Sequence, residues 1–153
     1  MTTYVDSSAL VAVYVPERFS TAARRALRAA AQVPLTQLHH LEVVNAFELM
    51  VGRKAMTREE CRAVQDQLQD DIANHRLVRV ALDLDQVFTN ASELSRAYTA
   101  KSLTRSLDLL HVAASHLAMC TTFVSADDRQ LAIAKATGLK VVDIKTRPRG
   151  RQS

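Results

Sequence analysis

Short runs of β-forming residues alternate along this chain with longer stretches of helical periodicity, and that alternation constrains the fold more than any other feature. The strand-type runs fall at residues 2–6, 33–36, 78–82, 121–125 and 140–142. Between them, Ser7 is a good N-cap for a helix over 9–15, and the Ala- and Arg-rich stretch 21–31 favours helix. A helix over 40–51, stopping at Gly52, is predicted to bury a stripe that includes Leu41, Val44 and Leu49. Thr57 with Glu60 makes a capping box for a polar helix reaching Asn74. Leu84, Val87, Phe88, Ala91, Leu94 and Tyr98 recur at helical spacing, the clearest amphipathic pattern in the chain. The segment 106–119 is apolar on nearly all sides and therefore central, and a last helix over 127–137 ends at Gly138. Strands separated by helices imply parallel crossovers, so the expected fold is a three-layer α/β/α domain around a central parallel sheet of about four to five strands. In such sheets ligands bind beyond the carboxyl ends of the strands.

Nothing divides the chain. It has 153 residues, three glycines and three prolines, with no repeat or low-complexity linker, so one domain is expected over residues 1–146 and a loose basic tail over 147–153. No apolar run approaches the roughly 20 residues that cross a bilayer, and the first residues lack the basic start of a signal peptide. A cytoplasmic protein with no membrane partner is the resulting expectation. Cys61 and Cys120 form no C-x-x-C unit and are expected to be reduced, packed as small hydrophobes. The net charge is +4, with Arg18, Arg24, Arg25 and Arg28 grouped early and Lys145, Arg147, Arg149 and Arg151 in the tail. Such groups attract phosphate backbones without reading sequence, and they also suit solvated helix faces.

Four carboxylates stand at element ends. Asp6 ends the first strand, Asp127 follows the 121–125 strand, Asp108 lies in the first turn of an apolar helix, and Glu42 lies near the start of another. Each alone suits a turn or helix start, where the macrodipole favours an acid. Converged in one poorly hydrated pocket, they would repel and take up protons or a multivalent cation. All-oxygen ligation suits Mg²⁺ or Mn²⁺ rather than zinc, and such ions assist phosphodiester hydrolysis.

The segments around these acids are Val5-Asp6-Ser7-Ser8-Ala9-Leu10, Glu42-Val43-Val44-Asn45-Ala46, Arg105-Ser106-Leu107-Asp108-Leu109-Leu110-His111 and Phe123-Val124-Ser125-Ala126-Asp127. They resemble the four acidic blocks of PIN-domain nucleases, most closely the VapC-type toxins of bacterial type II toxin–antitoxin systems. The blocks keep the family's order from residue 4 to about residue 142. The resemblance implies a Mg²⁺- or Mn²⁺-dependent ribonuclease with Asp6, Glu42, Asp108 and Asp127 as catalytic, metal-binding residues. It further implies supporting roles for Ser8 and Ser125 beside the carboxylates and for Asn45 beside the glutamate. Arg105 is a candidate for substrate contact or for pairing with a site carboxylate, and Asp128 for sharing the work of Asp127. The implied partners are an RNA substrate, a VapB-like antitoxin and a second copy of the chain.

Other chemistries lack their signatures. There is no P-loop, G-x-G-x-x-G, G-x-S-x-G or H-E-x-x-H, and His39, His40, His111 and His116 have no zinc-helix spacing, which leaves them as core-edge residues. Two alternatives to the ribonuclease stay open: a non-catalytic RNA-binding or protein-interaction domain of the same fold, and a small-molecule phosphatase.

Overall fold

The computed structural model describes residues 1–146, so the tail at 147–153 lies outside the described residues. Five parallel strands form two hydrogen-bonded ladders: β1 (Thr3–Val5), β4 (Thr122–Ser125) and β5 (Lys140–Asp143) in the order β1-β4-β5, and β2 (Val33–Leu35) beside β3 (Leu77–Arg79). Tyr4 is in register with Phe123 and Val5 with Val124. Because side chains alternate along a strand, Tyr4 and Phe123 enter one core while Val5 and Val124 enter the other. The first core packs against α1 (Ser7–Tyr14), α2 (Ser20–Ala29), α3 (Gln37–Gly52) and α4 (Arg58–Ala73). The second packs against α5 (Leu84–Leu94), α7 (Ser106–Leu117) and α8 (Asp128–Ala136). The architecture is thus the expected α/β/α sandwich. After α5 the chain continues through a π-helical turn at Ser95–Thr99 and a short turn α6 (Ala100–Ser102) before α7. Both cysteines are free and buried, and no helix among the described residues is long and apolar enough to cross a membrane.

The break between the ladders has a local cause. Val33 N–H and Leu35 C=O are bonded towards β3, which turns the backbone of Pro34 towards β1. Proline has no N–H to give, so a β1–β2 ladder cannot form there. The imidazole of His39 fills the gap. Thr36 N–H donates to its Nδ1 at 3.1 Å, and its Nε2–H donates to Val5 C=O at 2.7 Å. This fixes the tautomer and splices the two ladders through one buried side chain.

Two expected stripes are rotated. In α3 the buried residues are His39, Val43 and Phe47, four apart, and Leu41 is 67% exposed, with Leu49 also exposed and Val44 partly so. The ring of His39 selects that face, and Leu41 lies about 200° around the helix from it. In α5 only Val87 and Ala91 are fully buried, while Leu84 and Phe88 face outward. The N-cap of α1 is Asp6 rather than Ser7: the Asp6 side chain accepts from Ala9 N–H, which frees Ser7 to point elsewhere.

Candidate active site

Asp6 leaves the carboxyl end of β1 buried and fully engaged. Its Oδ1 accepts from Ala9 N–H at 2.8 Å and Ser8 Oγ at 3.4 Å, and its Oδ2 accepts from Ser125 Oγ at 2.5 Å. Burial raises its carboxyl above the usual range, against the lowering effect of these hydrogen bonds. Ser125, at the end of β4, also accepts from Asp127 N–H at 2.9 Å, so one hydroxyl couples two of the four acids. Asp127 caps α8, accepting from Arg129 and Gln130 N–H.

Asp108 projects from the first turn of α7 and is buried. Gln130 Nε2 donates to its Oδ1 at 2.9 Å, whereas its Oδ2 is buried with no hydrogen-bond partner among the described residues. Arg105 supplies only distant charge, with Nε 3.6 Å from Asp108 Oδ2 and a terminal nitrogen 3.8 Å from Asp127 Oδ2. Glu42 reaches the same cleft from α3. Ser7 Oγ donates to its Oε1 at 3.0 Å, and His111 Nε2 pairs with that same oxygen. Burial opposes ionisation of Glu42, but the hydrogen bonds from His111 and Ser7 outweigh it and hold the carboxyl below its ordinary value.

Asp6, Glu42, Asp108 and Asp127 line one cleft of about 350 Å³, together with Arg105 and His111. Ser8 lines it too. Ser125 lies beneath it, completely buried. Asn45 is exposed on α3 and does not line it, and Asp128 points away, paired with Lys145 at 2.7 Å. A somewhat larger recess, about 420 Å³ between α2 and β5, is lined mainly by small and aliphatic side chains, so size alone does not mark the chemistry.

Among the described residues, no three His, Cys, Asp or Glu side chains close into a metal-holding group. The acids share a cleft with room between them, and their donor set still fits a hard cation. All donors are carboxylate oxygens, four carboxylates face one arginine, and the buried Oδ2 of Asp108 accepts no hydrogen bond and has only Arg105 near it, at 3.6 Å, among the described residues.

Sequence reasoning missed three residues of the site: Ser7, His111 and Gln130. His111 lies three residues after Asp108, and Gln130 three after Asp127, so each shares a helix face with a known candidate. That spacing was the available signal.

Comparison with known proteins bears on the fold. Among solved structures, FitAcB from Neisseria gonorrhoeae superimposes with a TM-score of 0.68 at 13% identity, over 95% of this chain and 100% of that one. VapBC2 from Rickettsia felis, bound to a DNA fragment from their promoter, gives a TM-score of 0.66 at 14% identity, over 94% of this chain and 98% of that one. At such identities the likeness is one of fold. No curated protein is similar enough in sequence to match. The PIN domain family model matches residues 3–136, which takes in all four acidic segments. The chain therefore belongs to the PIN domain family.

Proposed function

We propose that this protein is a Mg²⁺- or Mn²⁺-dependent endoribonuclease, the toxin of a VapBC-type toxin–antitoxin pair acting in the cytoplasm. The observation that carries the reading is the cleft itself: four carboxylates at the carboxyl edge of a parallel sheet, one with an unpartnered buried oxygen. Asp6 and Asp108 would hold the principal ion, with Glu42 and Asp127 completing the site or orienting water. A bound cation supplies the charge that acidifies water and neutralises a phosphodiester. The protein's own part is positioning. Ser125 and Ala9 N–H fix Asp6, Gln130 fixes one oxygen of Asp108, and Arg105, exposed at the mouth and only loosely paired with Asp108 and Asp127, would turn to an RNA phosphate.

The resemblance to VapBC2 supports a protein antitoxin as partner, and the exposed Leu84 and Phe88 of α5, with Leu41 and Leu49 of α3, offer apolar surface for an antitoxin or a second copy. One observation favours a second reading, a non-catalytic RNA-binding or protein-interaction domain. The carboxylates stay unclosed, with an arginine between two of them. Cleavage of total cellular RNA by wild type and by Asp6→Asn, in Mg²⁺, Mn²⁺ or EDTA, separates the two. Discrete fragments from wild type alone, lost in EDTA, support the nuclease. RNA binding without cleavage by partner-free protein supports the binding domain.

A further inference from the structure

His111, three residues after Asp108 and part of the cleft lining, has hydrogen-bond partners on both sides of its ring. It is buried on α7, and both ring nitrogens are occupied. Nε2 faces Glu42 Oε1 and, at 3.2 Å, Ser7 Oγ. Nδ1 lies 2.8 Å from the hydroxyl of Tyr4, which is wholly buried in β1. A carboxylate can only accept, so Nε2 carries a proton and donates it to Glu42. Burial raises the pKa of Tyr4, which keeps its hydroxyl protonated and able to donate to Nδ1. The ring is further confined by edge contacts with Tyr4 and His39, at centroid distances of 5.7 and 5.3 Å. The chain Tyr4–His111–Glu42 therefore runs from the sheet through the core of the fold to the one site acid that does not come from the α7–α8 side or from β1.

We propose that His111 is the positioning residue of Glu42, holding its carboxylate in place in the cleft, with Tyr4 selecting the tautomer that makes this possible. Glu42 sits on the second turn of α3, half-buried, on a long side chain with no backbone N–H holding its carboxylate among the described hydrogen bonds. Asp6 and Asp127, by contrast, are short and pinned by backbone N–H groups. A glutamate on a helix loses far more rotamer freedom than an aspartate when fixed, so its placement needs partners, and Ser7 and His111 are the two it has. This assignment rests on the metal-dependent nuclease reading for its catalytic consequence, but the hydrogen-bond chain itself does not.

The test uses the full-length protein and reads the chain in three ways. Two-bond ¹⁵N–¹H correlation, recorded well above the ordinary imidazole range, should show His111 as the Nε2–H tautomer in wild type. In RNA cleavage, His111→Ala should lower kcat about 10–100-fold with little change in KM, as loss of a residue that orients a metal-ligand carboxylate does. His111→Gln, whose carboxamide N–H can still donate to Glu42, should recover most of that loss. In a Glu42→Gln background, His111→Ala should cost almost nothing further, in kcat and in Mn²⁺ affinity measured by calorimetry. An Nδ1–H tautomer, no recovery by a folded His111→Gln protein, or additive losses in the double variant would overturn the proposal. If wild type cuts no RNA, the nuclease reading fails separately, and the tautomer and the non-additivity of Mn²⁺ affinity still decide the role of His111.

Discussion

The two walls of the cleft are built on different principles. On the α3 wall, Glu42 is held by uncharged or buried partners that themselves stand on the core: Ser7, His111 and, behind it, Tyr4. On the α7–α8 wall, one oxygen of Asp108 accepts no hydrogen bond among the described residues, and the cation near it there is Arg105, whose side chain is 72% exposed and beyond hydrogen-bond distance. The first wall is finished by the protein alone. The second is electrostatically incomplete, and the orphaned oxygen marks where a cation adds most. A site built this way is rigid where geometry must be set in advance and open where charge must arrive.

The comparison breaks first at the acids. Asp108→Asn and Asp6→Asn should each lower metal-dependent RNA cleavage by about 1,000-fold or more, about 4 kcal/mol in transition-state stabilisation, measured as kcat/KM against wild type. In EDTA the same Asp6→Asn protein should melt no lower than wild type. The reason is a matter of sign: the folded-state pKa of Asp6 is raised, so its ionised form costs stability near neutral pH, and asparagine removes that cost while keeping the cap on α1. Unimpaired cleavage by either variant would show that the incomplete wall is not where the reaction occurs.

The finished wall is tested through His39, three residues before Glu42 on α3, where it splices the two ladders. His39→Ala should cost about 3–5 kcal/mol in urea unfolding, because Val5 C=O and Thr36 N–H lose their partner and a cavity opens. The same residue gives the fold a pH dependence. Burial lowers its pKa to about 3. The unfolded chain then binds the extra proton first, so the contribution is fully present above the ordinary histidine value near 6.5 and erodes as pH falls towards 3. The limiting slope is about 1.4 kcal/mol per pH unit. Unfolding of wild type between these pH values should show that slope, and His39→Gln should flatten it.

These two walls were also unequally legible in the sequence. The layered fold followed from apolar runs such as residues 121–125 set between helical stretches, because period-two and period-3.6 patterns record burial directly. The four acids were legible because each was expected at or near an element end, and Ser125 because its segment resembles the family's. The partners of Glu42 were not, since Tyr4 meets His111 across 107 positions and His111 meets Glu42 across 69, and no local pattern records such pairings. The rotated stripe of α3 has the same origin. A histidine in the core, satisfied by the backbone of Val5 in β1 and of Thr36 just after β2, takes the place that Leu41 was expected to fill.

Arg105 should give a smaller effect. Its exposed pairing contributes little to stability, so Arg105→Ala should move the unfolding free energy by under about 0.5 kcal/mol. If it meets RNA, KM should rise several-fold and the salt dependence of binding should fall by about one phosphate contact. An unchanged KM with tighter Mn²⁺ binding would instead make it only a counter-ion for Asp108 and Asp127.

The smallest effect expected is at Asp128. It follows Asp127 directly and shares its chemistry, yet its side chain is 83% exposed and bonded to Lys145, which also holds Asp143. The cause is the helix start: Asp127 is the N-cap, its side chain folded over the first turn of α8, so the next residue is carried about 100° around the axis and out of the cleft. Asp128→Asn should therefore leave metal-dependent cleavage within about twofold of wild type and cost at most a few tenths of a kcal/mol, as exposed ion pairs do. Asp127→Asn should lower cleavage strongly while preserving the cap, since asparagine caps as well as aspartate. Equal losses from the two variants would mean that the loop between β4 and α8 turns during catalysis, and the α7–α8 wall would then be mobile as well as incomplete.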